Sequence, residues 1–320
     1  MSLWKDGGMT ESRLLVSVPG ETLREALTHG PGGVPEGVDV VVWDLSTPPP
    51  ADHLDIVVPP YMGTARLLGA LEHVWTRLVQ AQSIGYDDIA PALPPGHVYA
   101  NAASVHETST AELALTLTLA VQRGIPGFVR GAVEGRWAPA LHASLADRRV
   151  MLLGYGGVGR AIEARLAPFE VELVRVASRA RDDDTGHIHG IDELPALLPG
   201  VDIVIVGVPL TAETTHLVDG AFLSALPDGA LVVNISRGKI ADTAAILAEA
   251  ASGRLRFGLD VTDPEPLPQG HPLFALPNVL ISPHVGGASS AMMPRMARLL
   301  RKQIERMLRG DEPVNVVLRS

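Results

Sequence analysis

Arg149-Val150-Met151-Leu152-Leu153-Gly154-Tyr155-Gly156-Gly157-Val158-Gly159 is the stretch that decides the fold. It opens on a short apolar run, the mark of a buried parallel strand. The glycines that follow are spaced Gly-x-Gly-x-x-Gly. In that context the first glycine, Gly154, allows a tight turn, Gly156 lets backbone approach a pyrophosphate, and Gly159 permits close packing of helix on sheet. The amides of Gly157 and Val158 then face an anion at the N-terminus of a helix. Arg160 to Phe169 reads as that helix, with small and apolar residues at Ala161, Ile162, Ala164, Leu166 and Ala167. A glycine-rich turn without a ligand is the bland alternative. The strand before and the helix after favour a dinucleotide site.

Working outward, further apolar runs read as strands at Leu173 to Ala177, Val201 to Val208, Ala230 to Ile235, Leu255 to Val261 and Val279 to Ser282. Helices fill the gaps at Asp192 to Leu198, Gly220 to Leu226 and Asp242 to Ala251. This alternation implies an α/β fold with a doubly wound parallel sheet. A second alternation occupies the first hundred residues. Its strands are Leu14 to Val18, Val38 to Leu45, Asp55 to Val58, Leu78 to Ala81 and His97 to Asn101, with prolines at Pro48-Pro49-Pro50, Pro59-Pro60 and Pro94-Pro95 marking loops. Glu107 to Arg123 reads as a long helix joining the halves, and Ala291 to Arg309 as a final one.

A chain of 320 residues with 46% hydrophobic residues is long and apolar enough for two cores. No stretch reaches the roughly 18 apolar residues of a membrane span. Met1 to Ser12 lacks the apolar core of a signal peptide, so a cytoplasmic location is the expectation. With no cysteine there is no disulfide or thiol chemistry. A formal charge of −10 without a basic stripe argues against nucleic acid as a partner. The eleven histidines show no metal-ligand spacing, and His187 and His189 read as loop or surface residues, so no metal is expected.

Three later residues carry chemistry. Arg237 follows the apolar strand Leu231-Val232-Val233-Asn234-Ile235, at the carboxyl edge where open sheets bind ligands. Its planar fork suits a carboxylate with an adjacent keto oxygen, although alone it reads equally as a surface ion pair. His284 follows a buried strand in Ser282-Pro283-His284-Val285-Gly286-Gly287. A protonated imidazole there can give its proton to a keto oxygen. Glu265, in Asp260-Val261-Thr262-Asp263-Pro264-Glu265-Pro266, is the carboxylate that would favour the charged ring, with Asp263 a weaker competitor.

Taken together, the glycine fingerprint, Asn234-Ile235-Ser236-Arg237-Gly238, Glu265 and His284 resemble the D-isomer-specific 2-hydroxyacid dehydrogenase family. The likeness is strong from about residue 100 to 318 and loose before that. It implies two Rossmann/flavodoxin-like domains with the active site in the cleft between them. The substrate domain would be discontinuous, residues 1–103 and 287–320, around a dinucleotide domain of residues 104–286. Arg237, Glu265 and His284 would then be the catalytic set, with Arg237 and His284 also binding substrate. Val208, Pro209 and Thr214, in a matching Pro-Leu-Thr segment, would lie near the cofactor with Ile235, Ser236, Asp260 and Gly286. Asp260 is expected to orient the nicotinamide or tune the site. Tyr61, Met62 and Gly63 align loosely with the family's carboxylate-binding loop, and plain packing is an open second reading for Tyr61 and Met62.

Eighteen residues past Gly159, where an NAD-binding member usually carries Asp, stands Ala177, followed by Ser178-Arg179-Ala180-Arg181. A hydroxyl and two guanidiniums, from Ser178, Arg179 and Arg181, suit a ribose 2′-phosphate. NADP(H) is therefore the expected cofactor with NAD(H) possible, as in the family's NADP-preferring glyoxylate/hydroxypyruvate reductases. A solvated pairing of Arg181 with Asp182 to Asp184 is the competing account. Thr262 departs from the aromatic residue usual after Asp-Val, and Ala241 from a usual valine. The expected substrate is a small anionic 2-keto acid, and the resemblance implies a homodimer through about Glu107 to Pro139. A nucleotide-sensing corepressor of the same fold and a phosphite dehydrogenase are the rivals.

Overall fold

The computed structural model describes residues 13–184 and 186–320; the stretch Met1 to Ser12, read above for a signal peptide, lies outside the described residues. The chain divides into two compact units, one made of the residues up to Val105 with Ser290–Ser320, the other of His106–Ser289.

In chain order the first unit contributes β1 (Leu14–Val18), α1 (Glu21–Thr28), β2 (Val38–Val42), β3 (His53–Val57), α2 (Thr64–Leu67), β4 (Trp75–Gln80) and β5 (Val98–Ala100). The second unit follows with α3 (Glu107–Gln122), α4 (Ile125–Val133), β6 (Arg149–Leu153), α5 (Gly157–Leu166), β7 (Glu172–Ala177), β8 (Arg181–Asp183), β9 (Gly186–Gly190) and α6 (Leu194–Leu197). It continues through β10 (Ile203–Val206), α7 (Gly220–Ser224), β11 (Leu231–Asn234), α8 (Thr243–Ser252), β12 (Arg256–Leu259) and β13 (Val279–Ile281). The chain then returns to the first unit with α9 (Met292–Leu308) and β14 (Val316–Arg319).

The first unit's sheet runs β14-β5-β4-β3-β1-β2, parallel except for β14. Two long side chains fasten the returning segment. Arg301 on α9 donates to the carbonyls of Ala26 and Leu27 at 2.6 and 2.9 Å and of Gly33 at 2.7 Å, so α1 gains acceptors' partners its own last turn cannot supply. Buried Gln303 donates to Gln80 Oε1 at 2.7 Å and exchanges hydrogen bonds with the Val314 backbone, which ties the approach to β14 onto β4.

The second unit's sheet runs β13-β12-β11-β10-β6-β7-β9-β8, with only β8 antiparallel. Strand order reverses between β6 and β10, which creates the switch point where open α/β sheets bind ligands. Alternate residues of β6 feed opposite faces. Met151 and Leu153 join Leu194, Phe222, Leu223 and Ile246, while Val150 and Leu152 join Ala111, Ala114, Leu117 and Ile162. Both faces are therefore covered by helices, which is why these strands read as continuous apolar runs. Among the described residues no helix is long and apolar enough to cross a membrane.

Both open, mostly parallel sheets agree with the sequence reading, and three local readings need correction. The helix after the fingerprint begins at Gly157 rather than Arg160, because packing against α3 and the sheet overrides the poor helical propensity of glycine. The predicted strand Val201 to Val208 is regular only at Ile203–Val206: the Val201 amide turns back to the Leu198 carbonyl, and past Val206 the last bond to β6 is from Gly207 to Leu153. The segment after Ala177 is not a plain loop. Arg181–Asp183 and Gly186–Gly190 form a hairpin on the sheet edge, so His187 and His189 lie on a strand. Its composition hid it: of the residues facing either side, Ile188 alone is an apolar anchor, fully buried.

Candidate active site

The fingerprint turn is shaped by exclusion. Gly154 has φ +111°, and a Cβ there would meet the Gly207–Val208 backbone at 2.5 to 2.6 Å. A Cβ on Gly159 would collide with the Gly154 carbonyl oxygen, whereas one on Gly156 would meet nothing within 4 Å. The chain is thus tight where helix meets sheet and open where a ligand would approach. The first amides of α5 have no intrahelical acceptors and form the partial positive end of its dipole. These features fit a dinucleotide pyrophosphate at Gly156, Gly157 and Val158.

Tyr155, between the glycines, is buried and belongs to the protein's own packing. Its hydroxyl donates to Glu163, which also accepts from Arg175 on β7, and the Arg160 and Arg175 guanidiniums lie 5.1 and 5.7 Å from the ring centre. Burial pushes the Glu163 carboxyl up, but the hydrogen bonds from Arg175 and Tyr155 outweigh it and hold the group below the usual glutamate range. This network fixes the outer side of the turn. Its members were not singled out in the sequence, where nothing links residues so far apart.

At the end of β7, Ser178 and Arg179 are exposed. Arg181 reaches across the hairpin and donates to the Tyr155 carbonyl at 3.3 Å, so its guanidinium lies over the fingerprint turn. The acidic run beside it has other partners. Arg160 takes Asp183 at 2.8 Å and Asp184 at 3.9 Å, and His187 takes Asp182 at 2.8 Å. A solvated pairing of Arg181 with these carboxylates is not what the fold contains.

Beyond β10, Thr214 is buried and donates to the Pro209 carbonyl at 2.7 Å while accepting the Thr211 amide at 2.8 Å, which braces the Val208–Pro209 loop. Ser236 donates its hydroxyl to the Val208 carbonyl, and buried Ile235 packs in the core under that loop. Arg237 leaves the end of β11 in extended conformation, φ −139° and ψ 143°. Asn234, 1% exposed, accepts the Ser236 amide at 3.1 Å and donates to the Arg237 carbonyl at 3.0 Å, locking that turn. Gly238 is pressed against the Thr262 carbonyl, where any Cβ would collide. The strand end carrying Arg237 is thereby pinned to the segment leading to Glu265.

Asp260 ends just past β12 and is 2% exposed. One carboxylate oxygen accepts the Ser282 hydroxyl at 2.7 Å and the Val285 amide at 2.9 Å; the other accepts the Gly286 amide at 2.9 Å. Its carbonyl accepts the His284 amide at 2.8 Å. This side chain accepts three hydrogen bonds from the loop after β13. Gly286 is small for the same reason: a Cβ would lie 3.0 Å from the Asp260 carboxylate. His284 is held at φ +54°, a left-handed conformation unusual for a side-chain-bearing residue and frequent at functional sites.

So held, His284 Nδ1 meets Glu265 Oε1 at 2.5 Å, with both side chains partly open to solvent. Thr243 donates to the Asp263 carbonyl at 2.6 Å and Thr262 to the Pro264 carbonyl at 2.9 Å, so the turn bearing Glu265 is fixed on its inner side. Nδ1 is occupied by the carboxylate, and Nε2 is the nitrogen left to meet a substrate oxygen. The structure therefore brings Glu265 to His284 and leaves Asp263 out of the pair.

In the first unit, Tyr61 packs against the α9 side of the core, Met62 is 69% exposed, and Gly63 has φ +72°.

Residues 115–286 match the model of the D-isomer specific 2-hydroxyacid dehydrogenase, NAD binding domain. The glyoxylate reductase of Korarchaeum cryptofilum is 32% identical over 252 residues, covering 75% of this chain and 76% of that one. The chain belongs to the D-isomer specific 2-hydroxyacid dehydrogenase family. The human glyoxylate reductase/hydroxypyruvate reductase is 30% identical over 293 residues, 85% of this chain and 89% of the relative. Among solved structures, an NADPH-dependent glyoxylate/hydroxypyruvate reductase from Sinorhizobium meliloti, in complex with NADP and malonate, superposes with a TM-score of 0.76. It is 28% identical and covers 96% of this chain and 97% of its own. A family member of this kind is an NAD(P)-dependent dehydrogenase.

The grip of Asp260 on its loop is testable. In Asp260→Asn, one acceptor becomes an NH2 group that must face the amide of either Val285 or Gly286, whichever way the side chain turns. A buried donor left facing a donor costs about 1–3 kcal/mol. The urea unfolding midpoint should fall accordingly, and an unchanged midpoint would show that the carboxylate does not hold the loop.

Proposed function

We propose that this dehydrogenase reduces a small 2-keto acid of the glyoxylate or hydroxypyruvate type with NADPH. The observation that carries the reaction is the His284–Glu265 pair on a left-handed loop, in the same unit as Arg237 at the end of β11. Gly156, Gly157 and Val158 would hold the pyrophosphate of a reduced nicotinamide cofactor, which would supply the hydride. Arg237 holds the substrate carboxylate with its fork and draws charge from the carbonyl. His284 gives the proton on Nε2 to the oxygen as negative charge builds there. Glu265, on Nδ1, aligns the imidazole, and the loop anchored by Asp260 sets its position.

Support for NADPH comes from Ala177, where a carboxylate would repel a 2′-phosphate, and from Arg181 lying over the turn. The S. meliloti relative is itself described as NADPH-dependent. Kinetics with both cofactors test this. NADPH should give the higher kcat/KM, and Arg181→Ala should raise the NADPH KM by about 10-fold or more while leaving NADH within about 2-fold, as expected for one charge-assisted hydrogen bond. Equal effects on the two cofactors would move Arg181 away from the phosphate.

For the chemistry, His284→Asn should lower kcat with glyoxylate by at least about 100-fold and leave NADPH binding nearly intact. Full activity in that variant sinks the assignment. Wild-type protein that binds NADPH but reduces no keto acid would favour a sensor or a phosphite-oxidising enzyme.

We further propose a homodimer built on α4 and the loop after it. Phe128, Val129, Val133, Trp137 and Leu141 are 45%, 61%, 88%, 95% and 103% exposed, large apolar side chains close in sequence that a second copy would cover. Light scattering should give twice the 33.8 kDa chain mass; a monomer at micromolar concentration would exclude it.

A further inference from the structure

The β8–β9 hairpin holds a second cluster of chemistry-bearing side chains that the reduction reaction does not use. We propose that His187, His189 and Glu193 form a binding site for a divalent transition-metal ion of the Zn2+ or Ni2+ class.

The placement follows from strand geometry. Residues two apart on a strand project from the same face, so His187 and His189 stand side by side on β9 while Ile188 between them is buried in the core. The two rings meet edge to face with centres 4.6 Å apart. The single turn after β9, Ile191–Glu193, then carries Glu193 back beside them. Its Oε1 accepts the Gly190 amide at 2.8 Å, which fixes the carboxylate, and its Oε2 lies 2.8 Å from His189 Nδ1.

One donor atom from each of the three residues lies within 4.8 Å of the other two. A tetrahedral ion bonded at ~2.0–2.2 Å to each would draw such donors to roughly 3–3.5 Å apart. The adjustment is small for side chains that are 50%, 28% and 37% exposed. The ion would take the place of the hydrogen bond that now joins His189 to Glu193. Asp182, paired with His187 across the hairpin register, lies with Oδ1 2.8 Å from His187 Nδ1. It is placed to orient that ring as outer carboxylates do around metal-bound histidine. Two imidazoles with one carboxylate select Zn2+, Ni2+, Co2+ or Cu2+ over Mg2+ and Ca2+, whose sites are built from oxygen. Water completes the coordination on the open side. Two separate surface ion pairs are the rival account, but they give no reason for all three donors to converge.

Calorimetric titration of Zn2+ into metal-stripped protein tests this without turnover. One saturating site per chain is expected, weakened at least 10-fold by His187→Ala and by Glu193→Gln. His187 is half exposed on a hairpin, so its replacement leaves the fold standing, which circular dichroism checks. His284→Asn should leave the affinity unchanged, which separates this site from the His284–Glu265 pair. No saturable binding, a site that survives either hairpin substitution, or a site lost with His284 overturns the proposal.

Discussion

A single buried carboxylate organises the reactive end of the second unit. Among the described residues, the Asp260 carboxylate is satisfied by one hydroxyl and two amides from the loop that follows β13. Burying an ion is costly unless such donors replace water, so the carboxylate and the loop each stabilise the other's position. His284 inherits its place from that bargain. With its own amide on the Asp260 carbonyl and its backbone left-handed, the imidazole is directed to Glu265. In the proposed reaction, the geometry of proton delivery is then set by a residue that need not touch a reactant.

A steric constraint does the corresponding work for the cofactor. The turns after β6 and β10 approach each other so closely that Gly154 cannot carry a side chain, Gly159 is packed on the Gly154 carbonyl, and Gly238 is packed as tightly against Thr262. Space is left where Gly156 stands. The result is a rigid carboxyl edge of the sheet on which the anion-binding helix end, Arg237 and the His284 loop are fixed by backbone contacts. Such rigidity matters because catalytic groups misplaced by an ångström lose much of their effect.

The legibility of this arrangement in the sequence follows the range of the forces involved. The glycine fingerprint, the apolar strands and the residue types at Arg237, Glu265 and His284 are local signals, and each could be read where it stands. The β8–β9 hairpin was not legible because its strands are charged and Gly-rich, with Ile188 as the lone core anchor. Convergence of His187, His189 and Glu193 depends on that hairpin, so it was hidden too. Asp260 was noticed, but its role could not be: its partners lie 22 to 26 residues away, and a sequence does not say where a carboxylate's lone pairs point. Asn234 is a similar case, a motif residue whose function is to lock the turn under Arg237.

In the proposed reaction Arg237 and His284 handle the two ends of one keto acid. A crystal structure with NADP and oxamate, an unreactive mimic of a 2-keto acid, tests it most directly. The oxamate carboxylate should lie on the Arg237 guanidinium, with its carbonyl oxygen within about 3 Å of His284 Nε2. Oxamate bound away from both side chains, with NADP in place on the fingerprint, would contradict it.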